Sequence, residues 1–312
     1  MAEFVVLSAI WGGSFALIKV AVDGGVAPLW VALWRCLFGA LTLWILCLAT
    51  RTAPSGDRRV WGHAVVVALL FNAVPFALFA YGETHISSVL AGVWNATTPL
   101  ATLVFVLALV RAERPTVRRL LGLATGLVGV LVVLGVWRSL PSGLLSGTVA
   151  CLAATMCYGA GFAYTRRFFS GRSESAAVLS AVQVTCATLE LALVTPLAAG
   201  VPGWPGVGAA ASLVVLGALG TGLAYVLNVR IIRAAGSTVA STVTYVVPLW
   251  STLFGAVLLG EPLTWNTAAG AVLVVAGVVL SRNPASRRSD RPAAMSGNSL
   301  DQPADHDEAR RR

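Results

Sequence analysis

The chain has 312 residues, of which 57% are hydrophobic and 11% charged. Ordinary soluble domains carry about 25% charged residues, so this chain has too few to give a soluble fold a polar skin, and lipid is its natural solvent. Its formal charge of +9 comes from arginines clustered between apolar runs, with no basic face and no aromatic-basic interleaving, which excludes a nucleic-acid surface.

Ten runs reach the roughly 20 apolar residues that a helix needs to cross a bilayer at about 1.5 Å per residue. The first, 4–21, holds Trp11-Gly-Gly-Ser14-Phe15, and Lys19 near its far end, where a long side chain can snorkel. No basic n-region precedes it, so it reads as a retained span. The second, 28–49, carries Arg35. The third, 61–81, carries Asn72, Pro75 and Tyr81, and the fourth, 88–110, carries Trp94, Asn95 and Pro99. The fifth, 117–137, holds Gly122, Gly126 and Gly129. The sixth, 144–165, holds Tyr158, and the seventh, 176–199, holds Gln183 and Glu190. The eighth, 209–229, holds Tyr225 and Asn228; the ninth, 237–259, Tyr245 and Pro248; the tenth, 265–281, Gly270 and Gly277. The runs are too long and too uniformly apolar for the alternating strands of a membrane barrel. The fold class is therefore all-α and polytopic, with ten transmembrane helices. Residues 282–312 hold twelve of the chain's charged residues and almost nothing apolar, a composition that predicts a disordered cytoplasmic tail.

Loop charges set the orientation. With the N-terminus inside, the cytoplasmic loops hold twelve arginines: Arg51, Arg58, Arg59, Arg111, Arg114, Arg118, Arg119, Arg166, Arg167, Arg172, Arg230 and Arg233. The outer loops hold only Arg138. This bias places both termini in the cytoplasm and predicts a multi-pass protein of the cell membrane.

The chain repeats itself. Trp11-Gly-Gly-Ser-Phe15 parallels Tyr158-Gly-Ala-Gly-Phe162, and Thr98-Pro99-Leu100 parallels Val247-Pro248-Leu249. Glu113-Arg-Pro-Thr116 parallels Glu261-Pro-Leu-Thr264, and the pair Gly122 and Gly129 parallels Gly270 and Gly277. The offset stays near 147–149 throughout. Each repeat holds five spans, an odd number, so the second enters the membrane from the opposite side, and equivalent loops carry opposite charge bias. We expect two inverted five-helix repeats, 1–140 and 141–281, an organisation that recurs in secondary transporters.

With these motifs in view, the chain resembles the EamA family of the drug/metabolite transporter superfamily over about residues 4–281. The resemblance rests on Trp11-Gly-Gly-Ser-Phe15, on Arg35, and on the stretch from Pro248 through Glu261-Pro-Leu-Thr264 to Gly270 and Gly277. It implies carrier-mediated movement of small metabolites or drugs, often outward, by alternating access. A non-transporting scaffold or sensor is the alternative. The small multidrug members of that superfamily place a glutamate in their first helix; span one here has only Glu3 at its edge.

Candidate residues follow from the cost of polar groups in lipid. An Arg at a helix centre costs roughly 2.5–3.5 kcal/mol on insertion scales. Arg35 and Glu190 lie at comparable depths, about 10 and 13 Å from the nearer helix ends. They are expected to share the cavity, as a pair or with Glu190 titrating, or else to be a structural pair. Trp11, Ser14, Tyr81, Trp94, Asn95, Tyr158, Gln183, Tyr225 and Tyr245 complete a candidate pocket, though each alone also fits packing or interfacial anchoring. Pro99 and Pro248 are expected as bends or hinges, and Gly122, Gly129, Gly270 and Gly277 as close-packing points.

No catalytic, cofactor or metal site is read from the chain. Its one lysine is outside any Gly-Lys-Ser/Thr loop, its three histidines are scattered, and its five cysteines lie in apolar runs without ligand spacing. The expected partners are a small-molecule solute and the bilayer.

Overall fold

The computed structural model describes residues 2–109, 117–134, 142–168, 174–235 and 243–281. Arg111, Glu113, Arg114, Arg138, Arg172 and the segment 282–312 lie outside the described residues. Every regular element described is helical.

The helices are α1 (Ala2–Asp23), α2 (Pro28–Ala49), α3 (Arg58–Glu83), α4 (Ser88–Asn95 and Thr98–Leu109), α5 (Val117–Leu134) and α6 (Ser142–Phe168). They continue with α7 (Ala176–Ala199), α8 (206–235), α9 (Val243–Leu259) and α10 (Trp265–Ser281). These match the ten expected spans, with α1, α3, α6 and α8 running further than the apolar runs alone indicate; positions 110, 135–137 and 237–242 of the expected runs lie outside the described residues. Among the described residues, six helices are long and apolar enough to cross a membrane. α9 and α10, of 17 residues each, reach about 25 Å. The outward faces carry many exposed apolar side chains, among them Ile45, Leu193, Leu197 and Val257. In water such a surface would aggregate; in a bilayer it is the solvated face.

Helix ends follow local chemistry. Pro28 opens α2, where its missing N–H costs nothing. Asp57, Ser87 and Ser175 cap α3, α4 and α7 by accepting from Arg59, Leu90 and Val178 backbone N–H groups. Gly200 closes α7 with φ +64, a conformation that favours glycine.

Three spans depart from regular α-helix. α4, expected as one continuous run, breaks at Ala96–Thr97. Pro99 has no N–H to offer the Asn95 carbonyl, and the Thr98 hydroxyl donates there instead at 2.7 Å; the Thr97 hydroxyl does the same for the Trp94 carbonyl. Hydroxyls thus satisfy the backbone that the break exposes. α3 contains a π-turn at Leu69–Ala73, just before Pro75, and α8 contains one at Ala218–Leu223. The two π-turns start 149 residues apart, on the offset of the sequence repeat. Pro248, the mate of Pro99, lies inside an unbroken α9, so the matched prolines do not have matched effects.

The helices pack as two inverted five-helix repeats. α2 packs on its mate α7, and α5 on its mate α10; α1 meets α9 as α6 meets α4; α2 meets α8 as α7 meets α3. Glycines make the symmetry close-range. A Cβ on Gly129 would lie 2.9 Å from the Gly270 carbonyl, and one on Gly277 would lie 2.6 Å from the Gly122 carbonyl. Exchanging the repeats turns one contact into the other. Likewise Gly12 abuts Trp250 across α1–α9, and Gly159 abuts Ala101 across α6–α4. The four expected packing glycines therefore form one backbone-to-backbone seam between α5 and α10.

Candidate functional site

Inside this frame lies a cavity of about 90 Å³ between the two repeats. α1, α2, α3 and α4 contribute to it from the first repeat, and α6, α8 and α9 from the second. Six of the expected residues line it: Trp11, Ser14, Arg35, Asn95, Tyr158 and Tyr225. Phe15, Phe71, Phe76, Phe79 and Phe162 form most of the remaining wall. Phe71 sits edge-on to Phe162, with centroids 4.8 Å apart, and Phe15 edge-on to Phe79 at 5.5 Å, the arrangement aromatic rings prefer. A larger cleft of about 610 Å³ lies by the loops around Gly24 and Val201. No charged side chain lines it, so the smaller cavity is the chemically furnished one.

Arg35 is the only charged residue among the described residues that line the cavity. It is 7% exposed. Its Nε donates to the Thr221 hydroxyl at 3.0 Å, and Nη2 reaches the Gly220 carbonyl at 3.5 Å. Both acceptors belong to the π-turn of α8, where the regular backbone ladder is interrupted. The guanidinium also lies over the Phe76 ring, 3.7 Å from its centroid.

Gln183, the repeat mate of Arg35, makes the corresponding bond in the other direction. Its Nε2 donates to the Asn72 Oδ1 at 2.7 Å, and Asn72 lies in the π-turn of α3. Asn72 and Thr221 are again 149 residues apart. The Asn72 amide then donates to the Tyr225 hydroxyl at 2.7 Å, which links this second bond to the cavity wall. Gln183 itself stands behind the wall.

The remaining expected residues are elsewhere. Glu190 makes no ion pair with Arg35 and does not line the cavity; neither of its carboxylate oxygens has a hydrogen-bond partner among the described residues. Comparable depth placed the two residues level, but the rotation of each helix decides what a side chain faces. Tyr81 is 42% exposed and packs on His85. Trp94 is fully buried in the cluster around Phe79 and Cys151, outside the cavity. Tyr245 lies on α9, and its side chain is outside the described residues. Lys19 does not snorkel freely: it pairs with Asp23 at 2.9 Å and donates to the Glu83 carbonyl at 3.0 Å.

Two acidic residues acquire structural meaning that their sequence context did not indicate. Glu83, at the end of α3, is fully buried, and neither oxygen has a hydrogen-bond partner among the described residues. Glu261 accepts from the Ser88 and Val89 backbone N–H groups at 2.7 and 3.0 Å and from the Ser88 hydroxyl at 3.0 Å. It caps α4 from the loop before α10, where a carboxylate complements the positive end of the helix dipole. Among the described residues no cluster of His, Cys, Asp or Glu is placed to hold a metal ion.

Paired helical repeats around a furnished cavity in a lipid-facing bundle define a membrane transporter that handles small solutes. The EamA-like transporter family matches the chain twice, over residues 3–135 and 145–282, and the chain belongs to that family. It is 24% identical over 292 residues to the uncharacterized transporter YoaV of Bacillus subtilis, covering 92% of this chain and 98% of YoaV. It is 30% identical over 239 residues to the uncharacterized transporter YcxC of the same organism, covering 72% of this chain and 74% of YcxC. A solved crystal structure shares the fold with a TM-score of 0.65 at 19% identity, covering 94% of this chain and 99% of the other.

Proposed function

We propose that the protein is a secondary carrier that exports small metabolites or drugs, amino-acid-like or other small organic solutes, by alternating access. Residues 1–140 and 141–281 are its two moving repeats, and both termini face the cytoplasm of a cell whose plasma membrane it spans. The observation that carries this reading is the pair of mate hydrogen bonds, Arg35 to Thr221 and Gln183 to Asn72. Each ties the second helix of one repeat to the π-turn of the third helix of the other, on either side of one cavity. Two equivalent contacts across a two-fold are what a carrier needs to exchange two related states. A π-turn, with its loosened backbone bonding, is a natural place for a helix to flex. A static scaffold has no use for hydrogen-bonding groups turned into a cavity between its repeats.

The test is flux. Purified protein in proteoliposomes, given imposed proton and sodium gradients, is screened with amino acids, organic acids and cationic drugs. The expected result is saturable flux of at least one solute class. Absence of flux for every class, with folded protein confirmed, supports the scaffold reading. Orientation is tested separately with single cysteines in a background where the five native cysteines are replaced. Thr264→Cys should label from outside intact cells, and Ser55→Cys should not.

A further inference from the structure

We infer that the solute is a small organic anion, a monocarboxylate with an apolar or flat aromatic body, received by the unspent edge of Arg35. This rests on the transport reading and narrows it.

Arg35 is a buried charge without an ion-pair partner among the described residues. Arg35 is more than nine-tenths buried, yet no carboxylate among the described residues pairs with it; the ion pairs described are Lys19–Asp23 and Arg230–Glu3. Glu83 is shut away from the cavity, and Glu190 does not reach it. A guanidinium presents five N–H donors in a fixed plane. Thr221 takes the Nε donor, and Gly220 takes one from Nη2 at the long distance of 3.5 Å. Nη1 has no partner among the described residues. Among the described residues the guanidinium therefore has neutral dipoles, the Phe76 face and the longer-range field of the unpaired Glu83 carboxyl, but no contacting counter-ion, and removing a charge from water without one is expensive. The guanidinium edge turned to the cavity matches a carboxylate, which can take two parallel N–H bonds from it.

The rest of the wall supports the same class. Among the described lining residues there is no carboxylate to receive an ammonium group. A cationic drug would meet an uncompensated positive charge, and an α-amino acid would leave its ammonium without an acid partner. The Asn95 amide and the Tyr158 hydroxyl also line the cavity without a hydrogen bond to any described residue, and they can complete the shell of the carboxylate. Phe71, Phe79 and Phe162 form an apolar wall for the solute's body. The volume of about 90 Å³ is below the roughly 300 Å³ at which drug-sized pockets begin, so the body is short or flat.

The test compares molecules of one shape and different charge on the full-length protein. Benzoate, benzamide and benzylamine, and separately propionate and propionamide, are titrated at constant ionic strength while thermal unfolding is followed; sulfate serves as the anion control. The expected result is stabilisation by the carboxylates with an apparent affinity at least tenfold better than the amides, no stabilisation by benzylamine or sulfate, and saturable carboxylate flux in proteoliposomes. Arg35→Lys should weaken carboxylate binding at least tenfold, because a point charge replaces the two-pronged edge. Equal binding of acid and amide, preference for the amine, or undiminished discrimination in Arg35→Lys overturns the inference. The acid–amide comparison on the unaltered protein decides the matter even if that variant does not fold. Flux of neutral or cationic solutes without carboxylates ends the anion assignment and leaves the carrier standing. Carboxylate binding without any flux ends the carrier reading and leaves the site.

Discussion

Arg35 on α2 and Thr221 on α8 belong to different repeats of the chain, and the Nε of the one donates to the Oγ1 of the other at 3.0 Å. Exchanging the repeats carries this bond onto the one from Gln183 to Asn72 at 2.7 Å. A hydrogen bond to a charged group contributes about 1.5–3 kcal/mol net. Thr221→Val keeps the shape of the side chain and removes the acceptor. It is expected to destabilise the protein by an amount in that range, read from denaturant unfolding in detergent, and Thr221→Ser should restore most of it.

The α5–α10 seam has no room for a side chain. A Cβ at Gly129 would stand 2.6 Å from the Val274 backbone nitrogen, where neither backbone can give way cheaply. Overpacking a tight site costs about 1–3 kcal/mol, and Gly129→Leu and Gly277→Leu should each exceed the low end of that range. Gly62→Ala, on α3 with nothing within 4 Å of the new carbon, should not destabilise the protein, because Ala favours helix over Gly by about 0.8–1 kcal/mol. Size-exclusion profiles after heating at graded temperatures would rank the three.

Glu261 gathers three hydrogen bonds at the start of α4. Loss of a capping group typically costs about 0.5–2 kcal/mol, and Glu261→Ala should fall toward the upper end because two backbone donors lose their acceptor. Glu261→Gln retains one acceptor oxygen and should lose less. The ordering Glu, Gln, Ala in thermal midpoint is the measurable outcome.

Glu83 presents the opposite case, a fully buried carboxyl with neither oxygen bonded. Leaving a buried polar group unsatisfied costs about 1–3 kcal/mol, so Glu83→Leu, close in volume, is expected to raise the unfolding midpoint. A fall would show that the carboxyl has a partner in the membrane-embedded protein.

Glu190 stands off the cavity wall. Flux measured from pH 5.5 to 8.5 in Glu190→Gln should superpose on that of the unaltered protein. A flattened profile in the variant would return Glu190 to the transport cycle.

Much of this was legible in the residues themselves. Span count came from apolar length. The repeat is visible in four short motifs at an offset of 147–149, and the same offset pairs Arg35 with Gln183. What remained hidden has two physical causes. A phenylalanine in an apolar run gives no sign of whether it faces lipid, a neighbour or a hollow, so Phe71, Phe76, Phe79 and Phe162 were not singled out as a cavity wall. Depth along a helix is readable at 1.5 Å per residue, but rotation shifts by 100° with each position. A π-turn adds further rotation that no motif announces, which is why Arg35 finds Thr221 rather than Glu190.

The glycine seam has a consequence for how the molecule is put together. Because α5 and α10 meet through bare backbone related by a two-fold, the polypeptide contains an internal copy of a homodimer contact. Severing it within 135–141 leaves each fragment with its own complement of that surface and its own loop arginines to set its direction of insertion. Two fragments made separately in one cell are therefore expected to assemble, and a tag on one should co-purify the other.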